Sequence, residues 1–297
     1  MKIKDVAKEE FITGSLSCAG CGNLLAVRLA LKALGKRTII IIPAGCLSAV
    51  TCFCPQIPFR VPMFVSPFAA TSAILQGVST GFEFRGIKDI NVLGIGGDGA
   101  TADIGMASFS DAIVSASRFI YLCVDNEAYM NTNVQSSATT PTGAITTTTP
   151  FPDTMQETRL SKKNLFSIAV AHKIPYAATA SVSYPLDYYE KVLKAARTDG
   201  PSFIHVQIPC PPGWGFPTEK TIEIGRMAVE SSMWHLLEYK DGKVRFTHVP
   251  KKRIPISEYL KAQARFRRMK PDDIAHLQSM TNEQLAALEA NQDKTPL

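Results

Sequence analysis

Residues 89–103 read Asp-Ile-Asn-Val-Leu-Gly-Ile-Gly-Gly-Asp-Gly-Ala-Thr-Ala-Asp, and they indicate the architecture of the chain. The aliphatic residues at the start predict a buried strand over 89–95, which runs into a glycine-rich loop and a helix. Glycines let a backbone approach a phosphate closely, and the helix N-terminus that follows favours negative charge. The carboxylate of Asp98 suits such a loop if a divalent cation separates it from a diphosphate. Gly-Asp-Gly alone is a weak signal, and by itself it favours a structural turn over a binding site.

A second polar residue follows the next predicted strand, which covers 119–124. Asn126 comes 28 residues after Asp98. If the two strands are adjacent and parallel, both side chains reach the same crevice at the carboxyl edge of the sheet. A carboxylate and an amide oxygen are hard ligands that suit Mg²⁺. The pair therefore predicts a magnesium site at this edge.

Apolar strand-like runs alternate with helix-like segments as far as residue 208. Strands are predicted at 38–42, 89–95, 119–124, 176–180 and 202–208, and helices at 23–34, 72–80, 103–117, 164–172 and 185–197. This alternation predicts an α/β fold with a doubly wound, mostly parallel sheet that helices cover on both faces. The Thr-, Ser- and Asn-rich segment 129–150 is too long for an idle connection, so we expect it to be functional.

The composition changes near residue 218, where charged helical segments and short links replace the alternation. We expect a domain over 1–217 and a C-terminal helical arm over 218–297 that packs on the domain or on partner subunits. The net charge is +6, and residues 251–270 hold eight basic residues against one acid. Apolar side chains interleave with these cations, which favours docking on a protein over binding nucleic acid.

The composition excludes several classes of protein. A chain of 297 residues that is 45% hydrophobic and 20% charged can bury a sizeable core and is not disordered, collagenous or a coiled coil. The uncharged run 38–59 is interrupted by Pro43, Gly45, Pro55 and Pro58, so we expect no membrane-spanning helix. Residues 1–10 are charged and lack the apolar centre of a signal peptide. We therefore expect a cytoplasmic protein that binds neither membrane nor nucleic acid.

Seven cysteines are an odd number, and in the cytoplasm they indicate thiols or metal ligands rather than disulfides. Cys18 and Cys21 form a Cys-x-x-Cys pair in a glycine-rich loop, and Cys46 and Cys210 each follow a predicted strand. Four thiols in loops could converge on one centre, which fits a metal cluster, a zinc site or a redox pair. The other three are expected to serve in packing: Cys52, Cys54 and Cys123.

Six motifs occur in an order that resembles one family: Cys18-Ala-Gly-Cys-Gly, Ala44-Gly-Cys, Gly96-Gly-Asp-Gly-Ala-Thr-Ala-Asp-Ile-Gly, Asp125-Asn-Glu-Ala-Tyr-Met-Asn-Thr, Gln135-Ser-Ser-Ala-Thr-Thr-Pro-Thr-Gly-Ala and Pro209-Cys-Pro-Pro-Gly-Trp. The sequence resembles the β subunits of the pyruvate:ferredoxin oxidoreductase group of 2-oxoacid:ferredoxin oxidoreductases. The resemblance covers nearly the whole chain and implies a sheet of the thiamine diphosphate-binding type.

The resemblance implies two metal sites. It matches Cys18, Cys21, Cys46 and Cys210 to the ligands of one [4Fe-4S] cluster beside the thiamine diphosphate. It implies Mg²⁺ bound by three protein oxygens: the side chains of Asp98 and Asn126 and the carbonyl of Ala128.

The resemblance also assigns contacts to the cofactor itself. Gly97, Gly99 and Thr132 match residues that contact the diphosphate, and Asn131 matches a catalytic polar group near the thiazolium. Gln135 begins the loop 135–142, which matches a segment that covers the cofactor.

The implied activity is thiamine-dependent oxidative decarboxylation of a small 2-oxoacid, with electrons passed through [4Fe-4S] clusters to ferredoxin. In the family, the carboxylate on the cofactor's aminopyrimidine comes from the α subunit, and Glu127 is expected to be structural. The chain should therefore act only with α and the other subunits of its complex.

One segment departs from the family pattern. Where pyruvate-type members resemble Arg-Val-Pro-Trp-Ile-His-Ser-Leu-Phe-Glu-Asn-Ala-Ala, this chain has Arg60-Val-Pro-Met-Phe-Val-Ser-Pro-Phe-Ala-Ala-Thr. A His and a Glu-Asn pair are replaced by Val65 and Ala69-Ala70. The substrate therefore stays open between pyruvate, oxalate and a branched-chain 2-oxoacid.

Two other functions fit the same residues. One is a non-redox thiamine diphosphate decarboxylase or carboligase subunit whose cysteines hold structural zinc. The other is a zinc-stabilised interaction subunit without chemistry of its own.

Overall fold

Strands and helices alternate through most of residues 2–52, 57–149 and 162–292, which the computed structural model describes. The strands are β1 (Thr38–Pro43), β2 (Met63–Ser66), β3 (Asn91–Gly97), β4 (Ile120–Asp125), β5 (Tyr176–Ser181), β6 (Ser202–Gln207), β7 (Leu236–Lys240) and β8 (Lys243–His248). The α-helices are α1 (Gly22–Leu34), α2 (Cys46–Thr51), α3 (Thr71–Phe84), α4 (Met106–Ala112), α5 (Leu165–Ala171), α6 (Pro185–Arg197), α7 (Pro211–Trp214), α8 (Thr221–Glu230), α9 (Ile256–Lys261) and α10 (Pro271–Ala290).

The strands form one sheet in the order β2-β1-β3-β4-β6-β5-β7-β8. The first six strands in this order pair in parallel, whereas β7 is antiparallel to β5 and β8 is antiparallel to β7. The predicted doubly wound, mostly parallel sheet is confirmed. The chain leaves β1 towards β2 and then returns to the other side of β1 at β3. Ligands of open α/β sheets bind where the winding reverses in this way, beyond the carboxyl ends of the strands.

Helices cover both faces of the sheet. On β1, Ile40 and Ile42 belong to one hydrophobic cluster and Ile41 to another, because successive side chains point to opposite faces. Helices α1 and α6 pack into the first cluster, and α3, α4 and α5 into the second. Strands buried on both faces read as continuous apolar runs. This is why Thr-Ile-Ile-Ile-Ile-Pro was recognisable as β1.

A third hydrophobic cluster joins the C-terminal residues to the sheet. It includes Trp214, Leu236 of β7, Tyr259 of α9 and Leu277 of α10, all of which are buried. Among the helices of the described residues, none combines the length and apolar character that a bilayer span requires.

The helix predicted at 103–117 is shorter and begins differently. Residues Gly99–Asp103 form a π-helical turn, and α4 follows at Met106–Ala112. Gly105 separates the two because a Cβ there would lie 1.9 Å from the carbonyl oxygen of Ala100. Single π-helical turns are frequent at functional sites, and this one directly follows Asp98.

The residues after 217 contain α8, α9 and α10, but they also contribute two strands, β7 and β8, to the main sheet. The prediction of charged helices and short links missed this hairpin. Asp241 and Gly242, which connect the strands, have φ angles of 53° and 76°. Asp-Gly between alternating residues is a known signal for such a turn, so the sequence did contain it. The domain boundary at 217/218 stays a prediction.

One buried lysine fastens this hairpin to the rest of the sheet. Lys191 of α6 is 1% exposed, and its Nζ donates to the Thr179 carbonyl of β5 (2.8 Å), to Asp187 Oδ2 (2.6 Å) and to Thr247 Oγ1 of β8 (2.7 Å). All three donor positions of the ammonium are therefore used.

Lys191→Met should destabilise the fold by about 3 kcal/mol, because it leaves a carboxylate and two other acceptors without their buried cation. The measurement is the free energy of unfolding from chemical denaturation. Lys243→Met, at an exposed lysine on the same hairpin, is the matched control and should leave the midpoint unchanged. Equal midpoints for the two variants would contradict a fastening role for Lys191.

Candidate active site

A cavity of about 250 Å³ lies beyond the carboxyl ends of β1, β3 and β4. Three loops supply most of its lining: residues 43–47 after β1, residues 97–100 at the end of β3, and residues 126 and 128–132 after β4. Phe68, Asn23, Ile95 and Val124 complete it. The cavity therefore occupies the position where the winding of the sheet reverses, as expected for a ligand site.

Three groups with oxygen atoms converge in this cavity. The amide end of Asn126 lies 3.2 Å from Oδ1 of Asp98 and 2.8 Å from the carbonyl oxygen of Ala128. With its nitrogen there, the amide donates two hydrogen bonds. With its oxygen there, three oxygens face one another, which is the donor set of a hard divalent cation. The residues present thus fit Mg²⁺, and the parallel pairing of β3 with β4 brings them together as predicted.

Asp98 is a buried carboxylate that is 2% exposed, and no cationic side chain of the described residues forms an ion pair with it. Burial and the nearby carboxylate of Asp125 raise the pKa of Asp98 well above its usual range. Hydrogen bonds from Ser137 Oγ (2.5 Å) and Thr139 Oγ1 (3.2 Å) to Oδ2 offset part of this cost. Oδ1 faces the amide of Asn126, and a cation there would favour the ionised carboxyl.

The two glycines of the loop have different surroundings. A Cβ on Gly99 would lie 2.3 Å from the ring of Tyr129. Glycine is therefore needed here for the Tyr129 ring to pack against the loop and line the cavity. A Cβ on Gly97 would meet no protein atom within 4 Å. Because Gly97 lines the cavity, its missing side chain leaves room for a ligand.

The residues predicted to contact the cofactor from the β4 loop lie at the open side of the cavity. Asn131 and Thr132 line it and are exposed. Gln135 does not line it, but it holds the loop, because its side-chain carbonyl accepts from Thr132 Oγ1 (2.5 Å) and its backbone carbonyl from Tyr129 N–H (2.8 Å). The loop that begins at Gln135 supplies Ser137 and Thr139 to Asp98.

Three segments bring the four cysteines of the motifs near one another. Cys18 and Cys21 close a turn, in which Cys21 N–H donates to the Cys18 carbonyl (3.1 Å). The start of α1 lies against the residue before Cys210, since a Cβ on Gly22 would be 3.2 Å from the carbonyl oxygen of Pro209. Cys46 begins α2 and lines the cavity itself.

These thiols influence one another electrostatically. Burial, together with neighbouring thiols of the set, raises the pKa of Cys46 to about 11 and that of Cys210 to about 12. The pKa of Cys21 is raised in the same way. Within residues 2–52, 57–149 and 162–292, no three His, Cys, Asp or Glu side chains form a group that could hold a metal ion.

The other described cysteines, Cys52 and Cys123, lie where a packing role is expected. Cys123 is fully buried in β4, and Cys52 packs against the core at its edge. Cys54 lies outside the described residues.

A buried network of charges lies behind the cavity, and the sequence analysis missed it. Glu127 pairs with Lys162 Nζ (2.6 Å) and with Arg265 Nη2 (2.7 Å). Burial alone would raise the pKa of Asp125, but Lys162 and the hydrogen bond from His205 outweigh it and lower this pKa to about 2. The expectation that Glu127 is structural agrees with this pairing.

The positions that depart from the family pattern do not line the cavity. Val65 lies on the edge strand β2 and is 44% exposed. Phe68, which is the same in both patterns, is the residue of this segment in the lining. Cavity chemistry therefore gives no reason to exclude pyruvate on the basis of Val65, Ala69 or Ala70.

Comparisons with known proteins relate this chain to a family. Residues 44–206 match the thiamine pyrophosphate (thiamine diphosphate) enzyme family at its C-terminal TPP-binding domain. Pyruvate synthase subunit PorB of Methanothermobacter thermautotrophicus is 47% identical over 275 residues, which cover 92% of this chain and 95% of PorB. Ketoisovalerate oxidoreductase subunit VorB of Pyrococcus horikoshii is 42% identical over 284 residues, covering 93% of this chain and 91% of VorB.

A solved structure supports the fold. The 2-oxoglutarate:ferredoxin oxidoreductase from Magnetococcus marinus superposes with a TM-score of 0.57 at 21% identity, over 76% of this chain and 80% of that chain. With the sequence matches, this similarity shows that the chain belongs to the thiamine diphosphate-binding β subunits of 2-oxoacid:ferredoxin oxidoreductases, the group of PorB and VorB.

Proposed function

We propose that this subunit binds thiamine diphosphate, Mg²⁺ and one [4Fe-4S] cluster, and that its complex oxidatively decarboxylates a small 2-oxoacid and passes the electrons to ferredoxin. The observation that carries the proposal is that one cavity is lined both by the converging oxygens of Asp98, Asn126 and Ala128 and by Cys46.

The oxygens of the cavity would hold Mg²⁺. Asp98 and Asn126 contribute their side chains and Ala128 its carbonyl. A dication beside Asp98 would offset the burial that raises the pKa of this carboxyl, so that it binds in its ionised form. The Gly97–Gly99 backbone and the Thr132 hydroxyl would then meet the diphosphate.

When bound, thiamine diphosphate supplies the nucleophilic carbon and the electron sink for the decarboxylation. The chain supplies placement. The rings of Tyr129 and Phe68 would form an aromatic wall beside the cofactor. Asn131, at the open side, is the polar group that we assign to the reacting end of the cofactor.

The four cysteines are assigned to the cluster. Burial raises the pKa values of Cys21, Cys46 and Cys210. Thiolates therefore form there near neutral pH only beside a compensating cation, which is the condition under which thiol groups act as metal ligands. The second candidate, a non-redox decarboxylase with structural zinc, is less well supported, because the oxidoreductase subunits PorB and VorB match over more than nine-tenths of the chain.

Other subunits complete the site. Asp98 is the sole carboxylate among the described residues that line the cavity, and we assign it to Mg²⁺. The carboxylate for the aminopyrimidine would then come from the α subunit, as the resemblance to the family implies. Exposed cations of residues 251–270 are suited to an acidic partner such as ferredoxin.

The substrate class is a small 2-oxoacid. Pyruvate is the first choice, since PorB is a pyruvate synthase subunit, and VorB makes a branched-chain 2-oxoacid the second. Rates of viologen reduction by the purified complex with pyruvate, 2-oxoisovalerate and oxalate would identify the substrate.

Asp98→Asn should abolish Mg²⁺-dependent binding of thiamine diphosphate, because it removes the one charged oxygen of the cation site. Calorimetric titration of the complex with the cofactor, with and without Mg²⁺, measures this. Asp111→Asn, the same change at an exposed residue, is the control and should bind as the wild type does. Undiminished Mg²⁺-dependent binding by the Asp98 variant would refute the loop assignment.

Gly97→Ala should weaken thiamine diphosphate binding roughly 10-fold or more without lowering the unfolding midpoint, because the added methyl group enters the cavity and touches no protein atom. Gly77→Ala, on the helix α3 and also free of neighbours within 4 Å, is the matched control. If both variants bind the cofactor equally well, Gly97 does not face the diphosphate.

Cys46→Ser should lower the iron and sulfide content of the anaerobically purified complex by up to about four of each per β subunit, together with its absorption near 400 nm. Cys52→Ser is the control and should keep both. A wild-type subunit that contains one zinc in place of iron and sulfide would instead support the structural-zinc function.

A further inference from the structure

The turn 125–128 carries two of the three oxygens of the proposed cation site, and its backbone is strained. Glu127, between Asn126 and Ala128, has a φ of 66°. A non-glycine residue is unfavourable in this left-handed region, because its Cβ crowds the backbone. Such a conformation persists where surrounding contacts hold it in place, so the contacts of Glu127 decide how the oxygens on either side are aimed.

The side chain of Glu127 is clamped between two cations. It is 5% exposed, with Oε1 2.6 Å from Lys162 Nζ and Oε2 2.7 Å from Arg265 Nη2. Its N–H donates to Asp125 Oδ1 (2.8 Å), so the turn is also closed through its backbone.

Arg265 is itself held rigidly. Its side chain is 4% exposed, and its Nε donates to Gln263 Oε1 (2.9 Å). The guanidinium lies 3.7 Å from the centre of the Trp214 ring, and the Trp214 Nε1–H donates to the carbonyl oxygen of Asn126 (2.7 Å). Arg265 therefore reaches the turn by two routes, through the carboxylate of Glu127 and through the indole that holds Asn126.

Arg265 also binds the chain just beyond the loop 135–142 that contacts Asp98. Its backbone carbonyl accepts a hydrogen bond from the Ile145 N–H (2.8 Å). Ser137 and Thr139, from the loop that precedes Ile145, donate to Asp98. One residue of the C-terminal segment thus contacts both protein segments that shape the cation site.

We propose that Arg265 is a positioning residue, which acts through Glu127 and Trp214 to hold the oxygens of Asn126 and Ala128 in the geometry that binds Mg²⁺. This inference rests on the proposed function. Arg265 does not line the cavity, so its effect is on the affinity for the cation and not on contact with substrate. Partners that orient metal ligands in this way typically account for 10- to 100-fold in affinity.

The test measures binding of Mn²⁺, as a substitute for Mg²⁺, to the metal-depleted complex with thiamine diphosphate present, by electron paramagnetic resonance. Arg265→Gln should weaken Mn²⁺ binding roughly 10- to 100-fold. Arg265→Lys keeps the positive charge opposite Glu127 but loses the planar guanidinium and its stacking on Trp214. Its Mn²⁺ affinity should therefore lie between those of Arg265→Gln and the wild type. Arg267→Gln, which removes an exposed cation from the same segment, should bind Mn²⁺ like the wild type.

A double-mutant cycle tests the route through Glu127. The losses of Glu127→Gln and Arg265→Gln should be less than additive in the double variant, since the two side chains act as a pair. Additive losses would overturn action through Glu127. Unaltered Mn²⁺ affinity in Arg265→Gln, or an equal loss in Arg267→Gln, would overturn the positioning role.

Two further results separate this inference from the proposed function. A wild-type complex that binds no Mn²⁺ with thiamine diphosphate would refute the proposed function itself. If Arg265→Gln does not assemble, the test uses Arg265→Lys and Glu127→Gln, provided that their unfolding midpoints equal that of the wild type. Wild-type Mn²⁺ affinity in both variants would overturn the inference.

Discussion

The buried carboxylate of Asp98 sets the conditions for the whole cavity. Its Oδ2 accepts from two hydroxyls, whereas its Oδ1 faces the amide of Asn126 and no cationic side chain of the described residues. An isolated carboxylate is costly to bury unless a charge or a metal compensates it. The sheet places this group at the reversal of its winding, where loops from three strands can surround a ligand. The site therefore has a place for a cation before any cofactor contact is considered.

The distribution of positive charge around the cavity follows from the same constraint. Two carboxylates follow one another closely at the end of β4, Asp125 and Glu127, and both are paired with Lys162, with Arg265 as a second partner of Glu127. Thr139 Oγ1 lies within hydrogen-bond distance of both Asp98 and Asp125. Its hydroxyl therefore connects Asp125, which has a cationic partner, with Asp98, which has none among the described residues. The protein's own cations thus compensate the acids that hold the turn, whereas no cation of the described residues pairs with Asp98.

The sequence predicted the parallel sheet and the meeting of Asp98 with Asn126, because buried strands and strand-end polar residues are local patterns. The hairpin β7–β8 was missed although Asp241-Gly242 marks its turn, since the charged residues around it resembled a helical arm. The pairing of Glu127 with Arg265 was not predictable, because no local pattern relates residues 138 positions apart. The charge of segment 251–270 favours a docking surface, yet one of its arginines, Arg265, is buried in the same chain.

The cavity and the cysteines of the motifs share two side chains, those of Cys46 and Met130. Cys46 belongs to both, since it lines the cavity, while burial and, after it, the nearby thiols of Cys21 and Cys18 raise its pKa. Met130 also lines the cavity, and a Cβ on Gly213 would lie 2.1 Å from its sulfur and 3.2 Å from the sulfur of Cys210. A cofactor in the cavity and a cluster on these thiols would therefore touch opposite sides of the same two side chains.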